Sequence, residues 1–177
     1  MDFLPAEDKE PISSNYMKLK EGDNKIRILS NAVIGWVYWE DDGDNRKPVR
    51  VRKEVDVPEK YLMQANQKER AKYFWSFVVY NYAAAKIQIL ELTQKTIREQ
   101  IRSYNEDSDW GDPKDYDLKI ERDEKTEKTK YNVKPSPKKK FAVDLIVQSK
   151  NIKSIDLDAM FEGKDPFSSA DNSEATK

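Results

Sequence analysis

Two kinds of side chain in this sequence are suited to contact with a flexible polyanion: cations that meet phosphates, and aromatic rings on which unpaired bases stack. A protein that holds a single strand without reading its sequence needs both, and each stacked base contributes about 1–3 kcal/mol. The chain has 32 Lys and Arg residues, and 11% of its residues are aromatic. The candidate cations are Arg27, Arg50, Arg52, Lys53, Lys72 and Lys119, and the candidate stacking platforms are Trp36, Tyr38, Trp39, Phe74, Tyr80 and Tyr82.

Aromatic residues on strands belong more often to the core than to a binding surface. The most aromatic segment, YFWSFVVY at 73–80, reads as a strand with rings on both of its faces. We therefore expect that some of these rings are exposed. Trp36 and Trp39 have opposite parity, so they lie on opposite faces of their strand, and one of the two should be exposed.

Charge is distributed unevenly along the chain, although the net charge is only −1. Residues 1–10 carry a net charge of −3 and residues 156–177 a net charge of −4, which leaves +6 on residues 11–155. A positive body attracts polyanions, and its own acidic tail can compete for the same surface. The alternative interpretation is a solvated surface with frayed acidic ends.

The absence of His and Cys from the sequence excludes several kinds of chemistry. Disulfides, zinc sites of the usual Cys/His kind, thiol nucleophiles and triads with an imidazole base all need these residues. We expect neither a metal nor another cofactor. The acidic start and the lack of a run of about 20 apolar residues predict a soluble, unexported chain that does not enter a membrane.

Alternating apolar residues separated by turn signals divide most of the chain into short strands. The segment Asp107 to Pro113 reads as a turn, because Gly-Asp and Asp-Pro are ordinary turn dipeptides. Residues 141–147 fit a strand or a short helix equally well. The predicted strands are 25–29, 33–40, 49–55, 73–80, 87–92, 117–120 and 129–133.

Two helices are predicted between these strands. Asp56 is placed as the N-cap of a short helix that continues to residue 65, with Pro58 at a permitted early position. A second helix is predicted over 93–104, where Ile97 and Ile101 share one face. Thr96 is placed there in a capping box.

The strands do not alternate regularly with helices, which disfavours a parallel doubly wound sheet. The pattern predicts a mainly β fold: a five-stranded antiparallel OB barrel with one helix between the third and fourth main strands, plus a short extra helix. We expect a disordered acidic N-terminus at residues 1–12, a single domain at 13–155, and a flexible, weakly acidic tail at 156–177.

Four segments also resemble a known family, the single-stranded DNA-binding proteins of tailed phages, which are helix-destabilising proteins of replication and recombination. The resemblance covers roughly residues 16–137. It implies an OB fold that coats single strands during viral DNA replication. The segments are YFWSFVVYNY at 73–82, ILELTQKTI at 89–97, DWGDP with YDLKI at 109–120, and TKYNVKP at 129–135.

The resemblance extends to partners and location, with two departures. Some members of the family are built around a zinc ion, but this sequence lacks the ligands. Many members recruit replication proteins through a strongly acidic tail, whereas the tail here is weakly acidic and ends in Lys177. The implied partners are single-stranded DNA and, through the tail, replication proteins, and the implied location is the cytoplasm of the host bacterium.

These observations together predict non-catalytic, largely sequence-independent binding of single-stranded DNA in phage replication, recombination and repair. One alternative is a metal-dependent nuclease, in which Asp109 or Asp112 joins the acid-x-Lys pair of Asp117 and Lys119 to hold Mg²⁺. Another alternative is a viral adaptor barrel that binds protein, since a fold does not fix a function. The basic run at 138–140 either extends the phosphate track or is a solvated linker.

Overall fold

The structure is a computed structural model that describes residues 15–142 and 152–167, except residues 44, 65, 67, 68 and 126. The predictions for residues 1–12, for the tail beyond residue 167 and for most of 141–147 concern residues outside this description. The strands are β1 (Gly22–Ile28), β2 (Val33–Asp42), β3 (Asn45–Val51), β4 (Lys72–Asn81), β5 (Lys86–Leu92), β6 (Asp117–Asp123) and β7 (Lys130–Pro135).

Two α-helices accompany the strands: α1 (Glu59–Leu62), which lies between β3 and β4, and α2 (Lys95–Glu106), which lies between β5 and β6. Both predicted helices are present. The short one between β3 and β4 is a single turn, and the longer one, predicted over 93–104, follows β5 and precedes the β6–β7 hairpin. Short 3-10 helices occur at Glu54–Asp56, Pro113–Asp115, Ile152–Ser154 and Leu157–Glu162.

All seven strands belong to one antiparallel sheet with the order β3-β2-β4-β1-β6-β7, and β5 pairs with β4. β1 and β2 follow one another along the same edge of β4, with Leu29 N donating to Val78 O at 2.8 Å. The Ser30 hydroxyl bridges the break by accepting from Val78 N at 2.8 Å. The prediction of a mainly β, antiparallel fold is confirmed, with seven strands instead of five. Among the described strands, no pairing joins β3 to β7 to close a barrel.

One face of the sheet is covered by α2. Ile97 and Ile101 point from the helix into a core that contains Phe77, Leu118 and Ile120. The predicted apolar face of this helix is thus confirmed. The predicted capping box is wrong, because the helix starts at Lys95 after Gln94 and its cap makes no side-chain hydrogen bond.

The first helix also begins later than predicted. Asp56 lies in the preceding 3-10 helix, and Pro58 occupies the N-cap position of α1 without a side-chain cap. Tyr61 of α1 packs on Tyr38 of β2, with ring centroids 4.5 Å apart. This contact covers the β2–β3 end of the same sheet face.

The opposite face of the sheet is covered by the C-terminal segment, residues 152–167. Leu157 and Met160 are buried against Phe74 and Val78, and the Phe161 ring lies 6.1 Å from that of Phe74. Residues 156–167 therefore pack on the domain, which corrects the prediction of a flexible tail starting at residue 156. The apolar residues of LDAMF recur at the i, i+3 and i+4 spacing of a helix face, which explains the packing.

Candidate nucleic-acid interface

A groove of 480 Å³ lies between α2 and the part of the sheet that α2 leaves uncovered. We call it the aromatic groove and define it by Ile34, Tyr73, Trp75, Arg102 and Lys114, which line it. Phe77 and Ile101, both buried, also contribute to its lining. Tyr73 and Trp75 are half-buried, and Ile34 is 52% exposed. The groove therefore presents ring surface at a concave site open to solvent.

Alternation along β4 explains why these rings meet α2. Tyr73, Trp75 and Phe77 share one face, and Phe77 lies in the core under the helix. Ile34 pairs with Trp75 in the register of β2 and β4, which puts both side chains on the same face. The Trp36 ring meets the edge of Tyr73, with centroids 5.7 Å apart. Trp36 thus continues the ring surface of the aromatic groove along β2.

Two guanidinium groups of α2 lie over these rings. Arg98 Cζ is 4.8 Å from the Tyr73 ring centroid, and Arg102 Cζ is 5.3 Å from that of Trp75. Both distances are within the range of a cation–π interaction. Arg98 and Arg102 are four residues apart on the helix, a rise of about 6 Å, and Tyr73 and Trp75 are two residues apart on the strand, a rise of about 6.6 Å. Because these spacings match, each arginine meets one ring.

The two arginines of α2 lack an ion-pair partner in the described structure: neither Arg98 nor Arg102 has a carboxylate at ion-pair distance there. Arg98 Nε is buried without a hydrogen-bond partner. Desolvation lowers the pKa of Arg98 from its usual value, and the nearby charge of Arg102 contributes to this. An anion bound here would accept a hydrogen bond from Arg98 and offset the positive charges of both arginines.

Lys114 lies at the far side of the groove and is partly neutralised. Its ammonium is 3.5 Å from the Asp112 carboxylate and donates to the Asn31 side-chain oxygen. Glu106, four residues after Arg102 on α2, also lines the groove and adds a negative charge. Arg98 and Arg102 are thus the cations next to the rings that lack an ion-pair partner in the described structure.

Three of the predicted stacking platforms are buried. Phe74 is 0% exposed, Tyr80 4% and Tyr38 6%. Phe74 lies beneath the C-terminal segment, the Phe141 ring covers Tyr80 at 5.7 Å, and Tyr61 covers Tyr38. These rings belong to the packed interior, so their prediction as platforms for bases is corrected.

One of the two tryptophans of β2 is exposed, as predicted. Trp39 is 46% exposed, whereas Trp36 is half-buried against Tyr73 and the side chains beneath α1. Trp39 lies outside the aromatic groove, beside Asp41, Arg46 and other charged residues. Of the two, Trp36 is the one placed next to the groove.

Three of the predicted phosphate-binding cations are engaged within the protein. Arg27 is 4% exposed, and it pairs with Asp117 at 3.4 Å. Arg50 Nε is 2.7 Å from Glu91 Oε2. Arg52 pairs with Asp158 at 2.9 Å and lies over the Phe161 ring. Arg27 is an internal group that cannot line an outer track, and the other two anchor neighbouring elements.

The remaining predicted residues lie apart from one another. Lys53, Lys72 and Lys119 are exposed, and in the described residues none of them has a carboxylate at ion-pair distance. Lys72 directly precedes Tyr73 at the start of β4. The Tyr82 hydroxyl donates to Asp117 Oδ1 at 2.8 Å, and desolvation followed by this hydrogen bond raises the pKa of Tyr82.

The predicted set thus does not form one trough, and the aromatic groove brings together residues that the sequence reasoning omitted. Alternation along 73–80 puts Tyr73 and Trp75 on one face of the strand, and the predicted platforms Phe74 and Tyr80 lie on the other face, which is buried. Arg98 and Arg102 carried a usable signal, since a pair of cations at i and i+4 flanks the apolar stripe of the second helix. The omitted residues are Tyr73, Trp75, Arg98, Arg102 and Lys114.

The carboxylates of the nuclease alternative are occupied by other groups. Asp117 is fully buried and pairs with Arg27, Lys25 and Lys139. Asp112 accepts a hydrogen bond from Lys114 N at the start of a 3-10 helix, which fits the predicted turn. Within the described residues, no group of three or more acidic, His or Cys side chains is placed to hold a metal ion.

No described helix is both long enough and apolar enough to cross a membrane. Comparison of the chain with protein-family models, curated proteins and solved structures gave no significant match.

Proposed function

We propose that this chain binds single-stranded DNA in the aromatic groove, without catalysis and largely without regard to base sequence. The observation that carries the proposal is the pairing of half-exposed Tyr73 and Trp75 with the guanidinium groups of Arg98 and Arg102, which have no carboxylate partner in the described structure. Rings and unneutralised cations in one concave site are the two requirements for holding unpaired bases and their phosphates.

In this proposal the rings stack the bases and the guanidinium groups bind the phosphates. A base that stacks on Trp75 takes the place of the Arg102 guanidinium, which then turns to the adjacent phosphate. Tyr73 and Arg98 repeat the arrangement for the next nucleotide, and Trp36 extends the stacking surface beyond it. Bases in a duplex are already stacked and paired, so they cannot reach these rings. The site should therefore prefer single strands.

The wider role in phage DNA replication, recombination and repair, in the host cytoplasm, rests on the family resemblance in the sequence. Replication proteins as partners of the tail and an OB-type barrel belong to the same proposal. The sharing of β4 between β1, β2 and β5 supports a curved, barrel-like sheet. The burial of Asp117 argues against the nuclease alternative, because both of its oxygens already lie within ion-pair distance of Lys or Arg side chains.

A titration of intrinsic tryptophan fluorescence tests the proposal. At about 200 mM salt, oligo(dT) should quench the fluorescence, and a duplex of equal length should quench it far less. The Trp75→Leu variant should lose about 1–3 kcal/mol of binding free energy, the amount expected for one stacked base. RNA of the same length belongs in the titration, because stacking alone does not distinguish the sugars.

Trp39→Leu is the matched control, since it removes an exposed tryptophan outside the aromatic groove. It should leave the affinity for oligo(dT) unchanged. Equal quenching of the tryptophan fluorescence by duplex and single strand at about 200 mM salt, or a larger loss in Trp39→Leu than in Trp75→Leu, would show that the groove is not the binding site.

A further inference from the structure

The exposed side of β1, β6 and β7 carries a row of lysines. Lys25 pairs directly with Lys119, and Lys119 pairs directly with Lys134, in the register of the three strands. Directly opposed residues share a face, so the three ammonium groups form one line across the sheet. We call this surface, together with Lys139, the lysine face.

The lysine face is opposite the aromatic groove. Ile26 and Leu118 are neighbours of Lys25 and Lys119 in sequence, and they point into the core under α2. Alternation then turns the lysines to the other side of the sheet. The groove and the row of lysines are thus on opposite faces of the sheet, so a strand bound to the rings must cross from one face to the other to reach the lysines.

The arrangement costs stability, because like charges directly opposite each other on a sheet repel. Acidic neighbours offset this only in part. Lys134 pairs with Glu121 at 3.0 Å, whereas exposed Lys119 has no carboxylate at ion-pair distance among the described residues. Asp23, at the adjacent register position, adds one further carboxylate to this face.

Around Asp117, positive charge also exceeds negative charge. The Nζ of Lys139 is 3.2 Å and that of Lys25 is 3.9 Å from Asp117 Oδ2, while Arg27 is 3.4 Å from Oδ1. One buried carboxylate thus gathers three cations, which leaves two surplus positive charges. Lys25 and Lys139 remain 37% and 57% exposed, so this surplus faces solvent.

We propose that the lysine face is a second nucleic-acid site that takes a phosphodiester backbone from either a single strand or a duplex. Two described rings lie near it. Tyr82 is covered by Lys25 at 4.5 Å and held by Asp117, and Phe141 packs on Tyr80 with Arg27 over its own ring, so both offer little surface to a base. The exposed large apolar side chains of the described residues lie elsewhere, at Ile34, Trp39, Val55 and Met63. A protein partner normally needs such anchors, whereas phosphates need only the cations.

The consequence is that one molecule holds two nucleic-acid segments at once. The aromatic groove selects unpaired bases, and the lysine face binds backbone in a strongly salt-dependent way. At low salt, a single-stranded segment in the groove can then be kept next to a duplex on the other side of the sheet.

The test is the triple variant Lys25→Gln, Lys119→Gln and Lys134→Gln, measured for duplex binding between about 50 and 200 mM salt. The plot of log affinity against log salt should become shallower by about 2.7, which is about 0.9 for each lost contact to duplex phosphates. Quenching by oligo(dT) at about 200 mM salt should stay within about twofold of the unaltered protein. A control variant, Lys18→Gln, Lys95→Gln and Lys164→Gln, removes equal charge elsewhere and should change the duplex slope less.

A second assay measures whether one protein molecule holds a duplex and a single strand at the same time. Beads that carry duplex should retain labelled oligo(dT) only when the protein is added, and the triple variant should abolish this retention. Trp75→Leu should weaken retention of oligo(dT) but leave duplex binding intact, so failure of the groove and failure of the lysine face give different results. An unchanged duplex slope in the triple variant overturns the inference. The inference is also overturned if duplex and oligo(dT) compete one for one for the protein. The same holds if the triple variant loses binding to polyglutamate, an acidic peptide used as a probe, but keeps its binding to duplex.

Discussion

Asp117 is a buried carboxylate whose oxygens contact Arg27, Lys25 and Lys139, and it also accepts from the Tyr82 hydroxyl. Replacing it with Asn should lower the free energy of unfolding by about 3–5 kcal/mol, because the buried guanidinium of Arg27 then loses its counter-charge. Urea denaturation measures this change. Lys119→Ala, at the exposed neighbouring position, should change stability by no more than about 0.5 kcal/mol. An equally small effect of Asp117→Asn would mean that Arg27 finds another partner.

Tyr116 makes stability depend on alkaline pH. Burial, followed by the charge of Asp112, raises the pKa of Tyr116 to about 12, against about 10 for an unfolded chain. Between these values the unfolded state binds fewer protons than the folded state, so stability falls as pH rises, by up to about 1.4 kcal/mol per pH unit. The Tyr116→Phe variant should show a shallower decline in denaturation experiments between pH 10 and 12. Parallel declines would contradict the raised pKa.

At the scale of elements, the C-terminal 3-10 helix depends on Gly35 of β2. A Cβ atom at this position would lie 2.8 Å from Phe161 Cε1 and 2.6 Å from Val51 O. Gly35→Ala should therefore destabilise the protein by about 1–3 kcal/mol, as overpacking usually does. Phe161→Ala removes one side of the clash, so the double variant should lose less stability in thermal or urea unfolding than the two single losses combined. Additive losses would show that Phe161 is not part of the contact.

Local patterns predicted the strands and helices well, but could not predict which faces are covered. The alternation of β4 correctly separated Tyr73 and Trp75 from Phe74 and Tyr80. Which pair is buried depends on Phe141 and Phe161, which approach from distant parts of the chain.

The partners of charged residues could not be predicted from local patterns either. Arg50 and Arg52 alternate with Val49 and Val51, which predicts that they face outward, but only the fold brings Glu91 and Asp158 next to them. The seven strands were each predicted from local alternation, but their arrangement in one seven-stranded sheet was not, since the pairing of β1 and β2 along a shared edge of β4 is a long-range property. Composition and spacing therefore predicted that rings and cations would share a surface, whereas tertiary packing determined which rings and cations do so.

For the molecule as a whole, Arg98 and Arg102 should set the salt dependence of single-strand binding. Single-strand binding loses about 0.7 in the slope of log affinity against log salt for each phosphate contact removed. The double variant Arg98→Ala and Arg102→Ala should thus flatten the slope by about 1.4. Arg50→Ala with Arg52→Ala removes the same charge from groups that are already ion-paired, so the slope should change less. The reverse order would place the phosphate track on β3.

The most direct test of the central claim uses a protein in which Trp75 is the sole tryptophan, obtained with Trp36→Phe, Trp39→Phe and Trp110→Phe. Titration with oligo(dT) should quench its emission to a saturating level, and the quenching should weaken as salt rises, because bases stack directly on this ring. If gel retardation shows that oligo(dT) binds while the emission of Trp75 stays unchanged, the aromatic groove is not where single strands are held.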